Sequence, residues 1–195
     1  MISVLDPDTA QADLAAGRLS CPVASCRTPL RPWGYARLRR VRELGATRLA
    51  LRPRRARCPG CGVTHVLLAA VAQPHRADAS VVIGAVLAAA AAGRGHRAIA
   101  VELDRSPWTV RRWLRSVRDI EVIEGLRGRA LDWLFSIDPD RIATLPVART
   151  RLGDALQALA AAALATRTRL APHVPVWALA TLIAGGRLLP AARSG

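Results

Sequence analysis

The spacing of apolar residues changes near residue 72. Upstream, apolar and polar positions alternate over short stretches, as around Tyr35, Arg37 and Arg39 and around Leu49 and Leu51. Two such runs, 33–42 and 48–57, separated by Gly45, predict a β-hairpin, and 64–68 predicts a further strand. Gln73-Pro74-His75 reads as a short connection. From residue 78 to 119 the period is helical. One apolar helix is expected over 80–92, a second over 96–103 with Ile99, Ala100 and Leu103 on one face, and a third from Ser106. After a charged stretch, helical patterns resume at 129–135, 149–170 and 175–183, with Pro-rich breaks between them and Gly185-Gly186 as the last stop. The predicted fold is mainly α with a small β portion, in three parts: 1–72, 78–119 and a helical C-terminal region, 120–195.

The third helix carries the clearest start signal. Ser106 is placed to cap its N-terminus, and Pro107 takes the first helical position, where a missing N–H costs nothing. Val110, Trp113, Leu114 and Val117 follow at helical spacing and form the stripe expected in the core. Trp108, Arg111, Arg112 and Arg115 have the same spacing on the opposite side. Such a helix suits a DNA major groove, its N-terminal residues at the base edges and its guanidinium groups facing guanine or phosphate. A solvated arginine face on an ordinary amphipathic helix would carry the same pattern. The capped start, and the short helix just ahead joined through Asp104-Arg105, favour recognition.

Four cysteines fall into two close pairs. Cys21 and Cys26 enclose four residues; Cys58 and Cys61 enclose Pro-Gly and are followed by Gly62. Paired spacing suits a tetrahedral Zn²⁺ site, each pair reaching the metal from one tight turn. Glycine supplies the left-handed backbone that such a turn requires. With the hairpin leading into the second pair, 1–72 reads as an arginine-rich zinc ribbon whose small core the metal supplements. Four thiolates close the coordination shell, so the expected zinc is structural. A redox role for Cys58 and Cys61 lacks the strand-then-helix setting it would need. His65 is expected to pair within its strand.

Charge narrows the partners. The net charge is +15, and all 29 basic residues are arginine, with no lysine. High-GC coding accounts for arginine in place of lysine but not for the excess of base over acid. Residues 27–57 hold eleven arginines against the single acid Glu43, so the face for a polyanion lies towards the N-terminal half. The opening residues contain Asp6, Asp8 and Asp13 and lack the basic start and apolar core of an export signal. The longest uncharged apolar run, 80–93, falls short of the roughly 20 residues that a membrane span needs. A cytosolic, nucleoid-associated protein is expected, in which paired cysteines hold metal rather than disulfides.

The pattern Arg97-x-Ile99-Ala100-x-x-Leu103, then Ser106-x-x-Thr109-Val110-x-Arg112-Trp113-Leu114, resembles the homeodomain-like helix-turn-helix of insertion-sequence transposases. Cys21-Pro22, Gly34-Tyr35-x-Arg37, Arg54-Arg55-x-Arg57-Cys58 and Cys61 resemble the zinc ribbon that precedes it in those proteins. The order is the same, and the likeness covers about residues 20–118. It implies a three-helix unit over 78–119, double-stranded DNA as partner, and structural zinc on Cys21, Cys26, Cys58 and Cys61. The implied DNA contacts are Trp108, Thr109, Arg111, Arg112, Arg115, Arg97, Arg54 and Arg55. Two positions depart from the family. Asp104 stands where a turn glycine is common, although Asp tolerates the left-handed conformation; Arg105 replaces a packed apolar residue. His75 and Arg76, at the handover to the helices, are placed for an added phosphate contact.

Those transposases also carry a catalytic domain whose three carboxylates bind two metal ions. It is far larger than the stretch after Asp119 here, where Glu121, Glu124, Asp132, Asp138, Asp140 and Asp154 lie on helical or turn segments. Asp138-Pro139-Asp140 reads as a turn between helices. Neither enzymatic activity nor a small-molecule substrate is expected. Leu152, Leu156, Leu159, Ala163 and Leu164 form an apolar stripe, and Trp133, Phe135 and Trp177 are expected to pack together. The C-terminal region then either caps the three-helix unit or forms a homodimer surface. The expected function is a DNA-binding regulator or transposase-derived factor without catalysis. The alternatives are an RNA-binding module using Trp33 and Tyr35, and an adaptor whose basic ribbon meets an acidic protein.

Overall fold

The computed structural model describes residues 1–191; the last four residues of the C-terminal region, 192–195, lie outside the described residues. Helix and strand are mixed, at 46% and 16%, and the strands form one small four-stranded sheet and one two-stranded sheet. No helix among the described residues is long and apolar enough to cross a membrane.

The expected hairpin organises the sheet. β2 (Arg31–Tyr35) pairs antiparallel with β5 (Arg54–Arg57), and β5 with β6 (Thr64–Ala69). β1 (Ile2–Val4) adds in parallel to β6, giving the order β1-β6-β5-β2. Beyond a break, β3 (Arg39–Arg42) and β4 (Arg48–Leu51) continue the same two arms as a separate pair. Tyr35 faces Arg54, whereas Pro32, three residues earlier, faces Ala56, two residues later. One extra residue is therefore taken up at Trp33-Gly34, where Gly34 adopts φ +74°, a bulge that a side chain would resist. Residues opposite each other share a face, so the bulge sends Tyr35 to the face of Arg54 and Ala56 and Trp33 to that of Arg57.

α1 (Pro7–Ala15) covers the Ala56 face; the apolar pattern did not announce it. Its start has the polar-residue-then-proline pattern of Ser106-Pro107, and here the cap is made. The Ser106 side chain, expected to cap its own helix, makes no cap hydrogen bond among the described residues. The Asp6 carboxylate accepts from the N–H groups of Asp8 and Thr9 at 3.2 and 3.0 Å, and Pro7 opens the helix. Ala10 and Leu14 then pack on Leu30, Ala56 and Leu67. The next residue, Leu68, points the other way and packs with Val41 and Ala72 under the β3–β4 pair.

α2 (Ser80–Ala91), α3 (His96–Glu102) and α4 (Pro107–Ser116) follow within one or two residues of the expected bounds. Asp104 between α3 and α4 is left-handed at φ +50°, as anticipated. Next come α5 (Ile120–Ile137), the short α6 (Asp140–Ala143), α7 (Arg151–Arg169) and α8 (Val176–Ile183). α5 is longer than expected because the charged stretch belongs to it. Asp119 caps it, accepting from the Glu121 N–H at 3.1 Å, and Ile123, Leu126, Ala130 and Leu134 form its buried line. Glycines and acids between those positions hid the stripe.

Residues from α2 to α8 share one core. α7 enters it through Ala155, Ala158, Ala162 and Ala163 beside Leu156 and Leu159, small side chains that let helix axes approach. Gly84 on α2 receives the Trp177 ring of α8 so closely that an added Cβ would lie 2.2–2.4 Å from indole atoms. Trp133 and Trp177 pack against this core, but Phe135 is 69% exposed, so the expected three-ring cluster does not form. Phe135 follows the buried Leu134 by one residue, ~100° round the helix, and is turned to solvent. Leu164 is likewise displaced from the buried face of α7.

Two buried polar knots join the parts. Gln73, expected in a plain connection, is buried: its Nε2 donates to Ser80 Oγ at 3.0 Å and Thr181 Oγ1 at 2.9 Å, and its Oε1 accepts from the Leu188 N–H at 2.9 Å. The other knot answers the Arg105 departure. The Arg105 side chain is 2% exposed and donates through Nε to Asp78 Oδ1 at 2.8 Å. Its Nη1 donates to the Leu103 and Asp104 carbonyls, each at 2.8 Å, and its Nη2 to the Glu43 carbonyl at 2.6 Å. Arg42 donates to the second oxygen of Asp78 at 2.8 Å.

Asp78→Ala leaves the Arg105 guanidinium buried without its counter-charge, and urea denaturation should register a loss of about 3–5 kcal/mol. Asp78→Leu combined with Arg105→Met should recover most of that loss, because no unpaired charge remains inside. A double variant as unstable as Asp78→Ala would show that the guanidinium's carbonyl contacts matter more than the pair. Gly84→Ala should cost about 1–3 kcal/mol by overpacking against Trp177, read as a lowered Tm.

Candidate functional site

The cysteines sit on two loops closed in the same way. Cys21 and Cys26 lie between α1 and β2, and Cys58 and Cys61 between β5 and β6. In each loop the N–H of the first cysteine donates, at 2.9 Å, to the carbonyl two residues past the second: Cys21 to Thr28, Cys58 to Val63. In each, the residue just after the second cysteine is left-handed, Gly62 at φ +73° and Arg27 at φ +49°. The wider first spacing is thus absorbed inside the loop, and Arg27 takes a conformation that glycine adopts with less strain. Gly60 lets the loops interlock, since a Cβ there would lie 2.5 Å from Thr28 Oγ1 and 3.2 Å from Cys26 Sγ. Spacing signalled the cysteines; Thr28 and Gly60 were not singled out from the sequence, although each is adjacent or nearly so to a cysteine.

All four sulfurs lie within 4.8 Å of one another and none is in a disulfide. The nearest pairs are crosswise, Cys26 to Cys58 at 3.3 Å and Cys21 to Cys61 at 3.7 Å. Burial pushes the Cys21 thiol up to about 12. The Thr28 hydroxyl, 3.3 Å from Cys26 Sγ, and the Thr28 N–H bring the Cys26 thiol down to about 6. One thiolate is therefore supported by the protein itself; a cation is what would let the others ionise beside it. The cluster has the composition and spacing of a metal site. His65 pairs with Ala56 across β5 and β6, as expected, and its buried Nε2 approaches Cys21 Sγ to 3.6 Å. It stands behind a sulfur rather than replacing one, and burial lowers its pKa.

α4 presents a cationic face. Val110, Trp113 and Val117 are buried, while Trp108, Arg111, Arg112 and Arg115 are exposed and Thr109 is half-buried. The Arg111 guanidinium lies over the Trp108 ring, 5.4 Å from its centroid. These five residues line a shallow depression of about 310 Å³. Arg112 and Arg115 also face an adjacent cleft of about 740 Å³ shared with Arg76. Burial, and then the charge of Arg112, lower the Arg76 pKa. His75 is exposed at φ +56° and does not line this cleft.

The remaining expected contacts lie elsewhere. Arg97 is exposed on α3 but lines neither hollow. Arg54 and Arg55 are half-buried on β5, and the Arg54 guanidinium is engaged over Tyr35 at 4.3 Å. No family model, curated protein or solved structure matches the chain.

Cys26→Ser or Cys58→Ser should abolish retention of stoichiometric metal through gel filtration, measured by elemental analysis. Gly60→Val should do the same with all four sulfurs present, because its side chain separates the two loops. Full retention by Gly60→Val would rule out the interlock.

Proposed function

We propose that this chain binds double-stranded DNA through a helix-turn-helix in which α4 is the recognition helix, α3 precedes the turn and α2 supports both. The division of α4 carries this reading: Val110 and Trp113 are buried and Leu114 half-buried, while Trp108, Arg111, Arg112 and Arg115 are exposed on one face, with no acid anywhere on the helix. A cationic face with an indole at its leading end suits base edges and phosphates of the major groove. Arg76 beside Arg112 and Arg115 extends the positive track towards a phosphate backbone.

We further infer that 1–72 is a zinc ribbon with Cys21, Cys26, Cys58 and Cys61 as ligands. A tetrahedron with metal–sulfur bonds of about 2.3 Å has edges of about 3.8 Å, and the crosswise separations of 3.7 and 3.3 Å lie near that length. Four soft sulfurs and no carboxylate favour zinc over magnesium or calcium. Bound there, the ion crosslinks the two loops and offers no open position for a reactant. The chain then acts as a regulator or a transposase-derived factor without catalysis.

An RNA-binding reading asks for a continuous aromatic platform on exposed strands. Trp33 and Tyr35 are 47% and 44% exposed, but the Gly34 bulge sets them on opposite faces of the sheet. That separation favours duplex DNA.

Anisotropy titrations with DNA selected from a random pool test the proposal. Affinity should fall steeply with salt as counterions are released. Arg111→Ala and Arg112→Ala should each cost roughly 1–3 kcal/mol where they read a base, or lower the salt slope by about one where they meet phosphate. Unchanged affinity, specificity and salt slope in both variants would remove α4 as the reading element. The same protein should contain close to one zinc per chain.

A further inference from the structure

On the α1 side of the sheet, a cavity of about 400 Å³ opens between the first turn of α1 and the β4–β5 turn. Leu51 and Leu67 form an apolar floor. One wall carries Tyr35, with the guanidinium carbons of Arg54 and Arg52 at 4.3 and 5.1 Å from its ring centroid. Asp8 and Gln11 of α1 also line the cavity, Gln11 next to the Tyr35 hydroxyl. No residue of the cysteine cluster or of α4 takes part.

Three features call for an occupant of particular chemistry. The Arg54 Nε is buried and has no acceptor among the described residues. The Asp8 carboxylate makes no ion pair among the described residues, although two arginines line the same cavity. The Tyr35 hydroxyl donates to Gln11 Oε1 at 3.4 Å, and the Gln11 amide N–H groups have no acceptor among the described residues. An anion would go to the arginines rather than to the end of α1, because Asp6 already accepts from the first-turn N–H groups of Asp8 and Thr9.

We propose that this cavity binds one purine nucleotide, with guanine preferred. The base lies on the apolar floor against the Tyr35–arginine wall, and its phosphate meets Arg52 and Arg54. Guanine N1–H and its 2-amino group donate to the Asp8 carboxylate, and its O6 accepts from the Gln11 amide. Adenine presents an acceptor at N1 and would face the carboxylate lone pairs without a proton between them, a mismatch that a hydrogen-bonding site rejects strongly. The source is either a free mononucleotide or an unpaired guanine at a strand end. The proposal uses none of the α4 residues on which duplex recognition rests, and of the expected DNA contacts only Arg54 takes part.

Calorimetric titration of the full chain with GMP, AMP and inorganic phosphate tests it. GMP should bind saturably at one site per chain, more tightly than AMP or phosphate. Tyr35→Ala should weaken GMP binding, because it removes the ring that holds Arg52 and Arg54 in the wall. Asp8→Asn, on an exposed first turn where folding is not at stake, should erase the preference for GMP over AMP. Arg111→Ala/Arg112→Ala should bind GMP as the parent does, so a failure of duplex binding leaves this site standing. A duplex with a single-stranded 3′ guanine that binds more tightly than its blunt counterpart, with the gain lost in Asp8→Asn, assigns the strand end; no gain assigns the free nucleotide. Absence of saturable GMP binding, phosphate binding as tight as GMP, or parental behaviour of the Asp8→Asn variant would each overturn the proposal.

Discussion

The Arg105–Asp78 pair is the constraint on which the relation between sheet and helices depends. Both side chains are 2% exposed, so their charges must satisfy each other and their remaining donors and acceptors must find partners. They do so by drawing on three separate parts of the chain. Arg105 comes from the α3–α4 turn, Asp78 precedes α2, and the Glu43 carbonyl and Arg42 come from the β3–β4 pair. A buried ion pair is a poor source of net stability, but it tolerates few alternative geometries. Its effect here is orientation: the turn that launches α4 is tied to the strands that follow the first cysteine loop. Gln73 makes a second such tie, from the end of the sheet region to α2, α8 and Leu188.

The two candidate functional regions differ in how they are built. The cysteine cluster depends on backbone: matching loop closures, two left-handed residues and a glycine at the loop contact bring sulfurs from positions far apart in sequence to a few ångströms. The α4 face depends on side-chain periodicity alone, with an apolar stripe turned in and arginines left out. The first is sensitive to the loss of any one sulfur. The second spreads its charge over several side chains, each of which contributes modestly and is screened by salt.

Periodicity in the sequence was most informative where one residue type dominated each face. Val110, Trp113 and Val117 against Arg111, Arg112 and Arg115 mark α4, which opens at Pro107 as expected. The Ser106 side chain, however, makes no capping hydrogen bond among the described residues. The cysteine spacing pointed to a shared cluster, and Gly45 to the turn of the hairpin. Patterns failed where a stripe was thin or interrupted. α5 was cut short because Gly125, Gly128 and its acids dilute four buried positions. Apolar periodicity passes over α1 although Asp6-Pro7 carries the same start signal as Ser106-Pro107. Side-chain destinations that depend on tertiary contact were beyond reach: Phe135 turned outward, Gln73 turned inward, and the Gly34 bulge split two aromatic residues that alternation alone would have put together.

The guanidinium at position 105 has a consequence for the composition of the whole chain. It spans four acceptors spread around a plane: a carboxylate oxygen and three carbonyls. Lysine ends in a single nitrogen whose three protons radiate from one point, so it could not reach that set without leaving some oxygens dry and unbonded. In the α3–α4 turn the shape of the ion, and not only its sign, is part of the fold.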